Sequence, residues 1–223
     1  MRQISFLVAV LAFSMEIQAQ SAQSWQDSLA VLGKQILQSP QSVDLRLKKA
    51  AVNLELNQWD YAIDEYGRVL DIEPRNLSAL YFRAYAHHQQ RHYELAKADY
   101  ESILALVPKH FESQLGLAMV KRNMGRVVEA MDELNRLVQA FPDSALAYAA
   151  RAGYEAEQKQ YEPALYDWDE AIHLKPDNVD FAVSKVEVLL ALHRKREAKA
   201  HLQQLVKAGV PKAELRHWMR QCQ

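Results

Sequence analysis

Three histidines crowd one short stretch of this chain: His87, His88 and His92. Imidazole nitrogens bind zinc and copper, and His88 and His92, four residues apart, can share one helical face. A metal-dependent accessory factor, or an enzyme built on this cluster, is therefore one reading. Against it, His92 falls near a polar break between two apolar runs, where polar residues are expected in a turn. No other arrangement carries chemistry. The chain has no glycine-rich phosphate loop, no metalloprotease pair of histidines flanking a glutamate, and no nucleophile in a strand–turn–helix elbow. Carboxylates are plentiful, but stacked helices expose many of them to solvent. No catalytic residue, metal or cofactor is assigned.

The formal net charge of −1 leaves no broad basic field, so nucleic acid is not an expected partner. Cys222 is the single cysteine, which rules out an intramolecular disulfide; stability must come from packed apolar surface. The chain opens on Met1-Arg2-Gln3, continues through an apolar run over Ile4 to Phe13, and reaches a small residue at Ala19. That is the layout of a secretory signal peptide over residues 1–19. The apolar run is shorter than the roughly 20 residues a bilayer-spanning helix needs. The remainder is expected to be exported, periplasmic or extracellular, without stable membrane insertion.

The elements that would position any binding residue announce themselves by period. Pro40, Pro74, Pro108, Pro142 and Pro176 recur every 34 residues, and Ala62, Ala96, Ala130 and Ala164 each sit twelve residues before one of them. Such fixed-period self-similarity marks a stacked repeat array. Each unit predicts two helices: a first with a small residue at its middle (Ala50, Ala84, Ala118, Ala152, Val186) and a second carrying the phased alanine, with Ala198 in the last. Bulky groups follow four residues later, at Tyr66, Tyr100, Leu134, Trp168 and Leu202. Small residues let paired helices approach; large ones fill the space between pairs. Five units are expected at 43–76, 77–110, 111–144, 145–178 and 179–212. Residues 20–42 form a linker and a capping helix whose stripe is Trp25, Leu29, Leu32 and Ile36, with Ser24 and Asp27 as its capping pair. Residues 213–223 form a second cap, with Leu215, Trp218, Met219 and Cys222 on one face.

These units resemble tetratricopeptide repeats of an exported bacterial type. The resemblance rests on the phased alanines and prolines and on the aromatic residues Trp59, Tyr93 and Tyr161 that open second helices. It covers nearly the whole chain beyond residue 19. There are departures: Lys49, Arg83, Arg151 and Lys185 stand where the family commonly has leucine, and the fifth unit closes at Pro211, one residue out of phase.

The resemblance implies an all-α, right-handed superhelical array of antiparallel helix pairs whose first helices line a concave groove. Its floor would comprise Leu47, Ala51 and Leu54, then Tyr81, Tyr85 and His88, then Leu115, Met119 and Arg122. Ala149, Gly153 and Ala156 would follow, and Val183, Glu187 and Leu190 would close it. The carboxylate clamp of the family's chaperone-tail binders is not expected, since Leu47, Ala51, Phe82, Glu112 and Gly116 occupy the groove instead. Gly153, in mid-helix at a cost of roughly 1 kcal/mol relative to alanine, suggests a depression in the floor. The function implied is a protein–protein interaction scaffold that takes a protein or peptide segment in an apolar, aromatic groove. A self-associating structural protein of the envelope, a homo-oligomer, is the further alternative.

Overall fold

A computed structural model describes residues 23–223 of the chain. The expected signal peptide lies outside the described residues. Every regular element among them is a helix. Helix α1 covers 23–38. Helices α2 (Val43–Glu55) and α3 (Trp59–Ile72) make the first pair, α4 (Leu77–Gln89) and α5 (Tyr93–Leu106) the second. The third pair is α6 (Phe111–Asn123) and α7 (Val127–Ala140), the fourth α8 (Ala145–Glu157) and α9 (Tyr161–Leu174). Helices α10 (Val179–Ala191) and α11 (Lys195–Lys207) complete the series, and the short α12 spans Arg216–Gln221.

Each boundary has a local cause that repeats with the sequence period. The first helices begin at a side-chain cap: Ser42, Asn76, Ser144 and Asn178 each accept a hydrogen bond from a backbone N–H two or three residues on. His110 fills the equivalent place before α6, its Nδ1 accepting from the Ser113 amide at 3.2 Å. The turn into each second helix pivots on one left-handed residue, Asn57, Arg91, Gly125, Lys159 or His193, with φ between 55° and 73°. Second helices stop at Glu73, Val107, Phe141 and Lys175, all outside the helical region, each followed directly by a phased proline. A residue preceding proline is pushed out of the α region, which accounts for the sharp stops. Helix α11 ends differently: Ala208 caps it and Gly209, at φ 102°, turns the chain, which is why Pro211 falls out of phase. Ser24 lies inside α1 rather than at its cap, its carbonyl accepting from Ser28 Oγ at 2.9 Å.

The chain divides into two compact units, one ending at Ser113 and one beginning at Gln114. In the first, α2 packs on α3, α3 on α4, and α4 on α5. Ala50, Ala62, Ala84 and Ala96 are fully enclosed there, and Tyr66, Val69, Tyr100 and Ile103 fill the space between pairs. In the second, α8 packs on α9, α9 on α10, and α10 on α11. Ala152, Ala164 and Ala198 lie at the close approaches, with Trp168, Val186, Leu189 and Leu202 around them. The same cluster takes in Leu215 and Cys222 from either end of α12, with Trp218 and Met219 half-buried against it. Cys222 is thus a small apolar core residue.

Candidate binding surface

In the second unit, five of the residues expected in the groove converge. Leu115, Met119 and Arg122 come from successive turns of α6, and Ala149 and Gly153 from α8. With Ala118, Leu134, Ala150, Tyr154 and Glu157 they line an open cavity of about 320 Å³. The local reason is residue size. A Cβ added at Gly153 would meet nothing within 4 Å, and Ala149 and Ala150 before it keep the α8 wall low. Met119 stands 41% exposed at the margin, an adaptable thioether available for contact. Tyr154 supports the wall: it is buried, and its hydroxyl donates to the Val127 carbonyl at 3.4 Å.

Arg122 is engaged at the margin of this cavity. Its Nη2 donates to Glu157 Oε1, so an ion pair between α6 and α8 borders the cavity. The two side chains are 42% and 45% exposed, so the pair contributes about 0–1 kcal/mol and serves to hold the two side chains in place. Glu157 had no signal in the sequence. It lies 35 positions from Arg122, one more than the repeat period, and a period-based reading passes over it.

Ala156 and Glu187 do not join this cavity. Ala156 packs against the core cluster that reaches α12. Glu187 accepts a hydrogen bond from Trp218 Nε1 at 3.0 Å and so ties α10 to the terminal helix. Of the other expected lining residues, Val183 and Leu190 also pack against that cluster.

Tyr81, Tyr85 and His88 belong to the first unit. Tyr81 and Tyr85 line a second open cavity of about 390 Å³ with Leu54, Glu55, Asn57, Trp59 and Phe82. Its rings meet at steep angles: Trp59 and Tyr85 at 71° with centroids 6.1 Å apart, Tyr81 and Phe82 at 79° and 5.3 Å. Burial raises the Tyr81 hydroxyl above its ordinary pKa, with Glu112 and then Tyr85 acting in the same direction. The phenol is therefore neutral at physiological pH. His88 is half-buried and turns its ring to Tyr93 at 5.7 Å.

The histidine cluster comes together differently from its spacing. His92 precedes α5 after the left-handed Arg91, so it shares no helical face with His88 of α4, and its ring lies 5.9 Å from that of His87. Burial lowers the pKa of His87, Arg83 and His92 add to the lowering, and Asp99 opposes it. Among the described residues no three His, Cys, Asp or Glu side chains gather as a metal site requires. Nor is any helix among them long and apolar enough to cross a membrane.

Phased helix pairs with alanines at the close approaches define an α-solenoid repeat protein. Two tetratricopeptide-repeat models match the chain, over residues 47–110 and 87–153. A curated relative, small glutamine-rich tetratricopeptide repeat-containing protein 2 of Saccharomyces cerevisiae, is 29% identical over 126 residues, covering 55% of this chain and 35% of its own length. A tetratricopeptide repeat protein from Parabacteroides merdae superposes with a TM-score of 0.65 at 20% identity, over 89% of this chain and 78% of the other. YrrB, described as a repeat protein of this kind with an unusual peptide-binding site, superposes with a TM-score of 0.57 at 16% identity, over 80% and 92% of the two chains. Residues 47–153 carry tetratricopeptide repeats, and the chain has the fold of a tetratricopeptide-repeat protein. Proteins of this family are generally scaffolds for protein–protein interaction and typically not enzymes.

Proposed function

We propose that this chain is an exported scaffold that receives a segment of a partner protein on the face of its first helices, anchored in the α6–α8 cavity. The observation that carries the reading is the vacant floor at Gly153. A helix gives up roughly 1 kcal/mol to hold glycine there, and the space so made stays open between Leu115, Met119 and Ala149. An apolar side chain of the partner fits such a space, and burying it contributes about 1.5–3 kcal/mol. The cavity lies between packed helices and is held before the partner arrives, so binding spends little on ordering the receptor. The peptide-binding site of YrrB, on a similar fold, is compatible with this use. The apolar leader supports export.

Two experiments test the reading. Affinity capture from envelope extract should retain a partner on the wild-type chain and lose it on Gly153→Leu, with helix content unchanged by circular dichroism. Equal capture by both proteins would remove the cavity from the account. N-terminal sequencing of the exported protein should begin near Gln20, and a start at Met1 would refute leader removal. Self-association would appear instead as a solution mass that rises with concentration.

A further inference from the structure

We propose that the aromatic cavity of the first unit takes a cationic side chain, arginine or lysine, of a partner segment. The proposal rests on the scaffold reading and names the partner chemistry at Tyr81 and Tyr85. Three independent features of the cavity carry the same sign. First, four of its seven lining residues are aromatic, and Phe82 and Tyr85 stay 42% and 38% exposed. Ring pairs at 71° and 79° make a corner of π-surfaces, which attract a cation through the ring quadrupole.

Second, Glu55 lines the cavity and is exposed, and among the described residues no Lys, Arg or His pairs with it. No cation is among the lining residues at all. Two buried carboxylates on the same helix pairs contrast with it: Glu65 takes Arg46 and Lys49, and Asp99 takes Arg83. Third, Leu54, Glu55 and Asn57 are the C-terminal end of α2 and its turn. A helix C-terminus carries a partial negative charge that favours cations, and the last turn of α2 has no basic residue to offset it. Aromatic faces, a carboxylate and a helix C-terminus together select a positive charge over an apolar or anionic group. The guanidinium of arginine, planar and weakly hydrated, matches a ring corner best.

The test is a titration of the purified protein, its tryptophans labelled at the indole nitrogen, with Nα-acetyl-arginine methylamide and with the neutral Nα-acetyl-norleucine methylamide. The arginine probe should move the Trp59 indole resonance saturably while the norleucine probe leaves it in place. Glu55→Gln and Tyr85→Leu, both at exposed positions, should each weaken the arginine probe by about two- to five-fold. A Trp59 shift with norleucine as strong as with arginine overturns the cationic assignment and leaves an apolar binding face standing. No shift with either probe, or undiminished arginine binding in both variants, also overturns it. The Gly153→Leu capture experiment is read in the other unit, so the two results separate.

Discussion

Arg83 lays its guanidinium across Asp99, sixteen residues on, its Nε and Nη2 donating to the two carboxylate oxygens at 2.8 and 2.7 Å. The arrangement recurs two repeats later, in the fourth pair, where Arg151 makes the same two bonds to Asp167 at 2.6 and 2.8 Å. Lys49 reaches Glu65 in the first pair by the same offset. In the third pair the basic position is Leu117, and Glu133 is served by Lys121 from the next turn. In the fifth the acidic position is His201, and Lys185 turns back to Asp169 of the preceding pair. The basic residues that depart from the family's leucines are thus half of a ladder joining first helices to second.

The ladder predicts an asymmetry. Asp167, whose side chain is 1% exposed, cannot be removed alone without stranding Arg151, so Asp167→Ala should cost about 3–5 kcal/mol. Replacing the pair together, Arg151→Met with Asp167→Leu, should recover most of that loss. Urea unfolding of the three proteins decides it, and a double variant no better than the single one would contradict the argument.

The alanine pattern was legible in the sequence because a helix contact tolerates only one size of side chain, and that constraint returns with every unit. The ladder was not: Arg83 and Asp99 lie on different helices, and their offset is visible only once two helices are packed. The cavity between α6 and α8 was half legible. Gly153 stood out as a costly residue, and Met119 and Ala149 follow from helical spacing, whereas Glu157 and the diversion of Glu187 to Trp218 depend on neighbours outside the period. The left-handed turn residues escaped notice because only one of the five, Gly125, is a glycine.

Ala96 and Ala130 are fully enclosed between helices. Ala96→Leu and Ala130→Leu should each lose about 1–3 kcal/mol by overpacking. Thermal melts equal to wild type in both would break the register on which every assignment here depends.

The turn residues predict opposite signs for two small changes. Gly125 sits at φ 73°, and Gly125→Ala should cost about 1 kcal/mol; Lys159, at φ 60°, holds the same position with a side chain, and Lys159→Gly should be stabilising or neutral. Denaturant midpoints that move in the reverse sense would refute this.

Glu155 introduces a pH dependence. It is buried with Oε2 lacking a hydrogen-bond partner, and burial first, then the charge of Asp167, raises its pKa to about 7, against the pull of Arg151. A raised carboxyl pKa means that the folded state holds a proton the unfolded state has released. Stability from this group is therefore lost as pH rises from about 4.5 to 7. Glu155→Gln should be more stable than wild type at pH 8 by about 1–3 kcal/mol, and the gap should close by pH 5. A gap that is constant with pH would show that Glu155 does not titrate in this range.

The central claim is that the partner enters between α6 and α8. A photoreactive benzophenone amino acid placed at Met119, 41% exposed at the margin of the cavity, tests it in producing cells. The same group at Glu101, exposed on α5 outside both cavities, is the control. The account predicts a discrete crosslinked partner from position 119 that disappears when Gly153→Leu is added, and none from position 101. A partner captured from position 101, with nothing from 119, would contradict it.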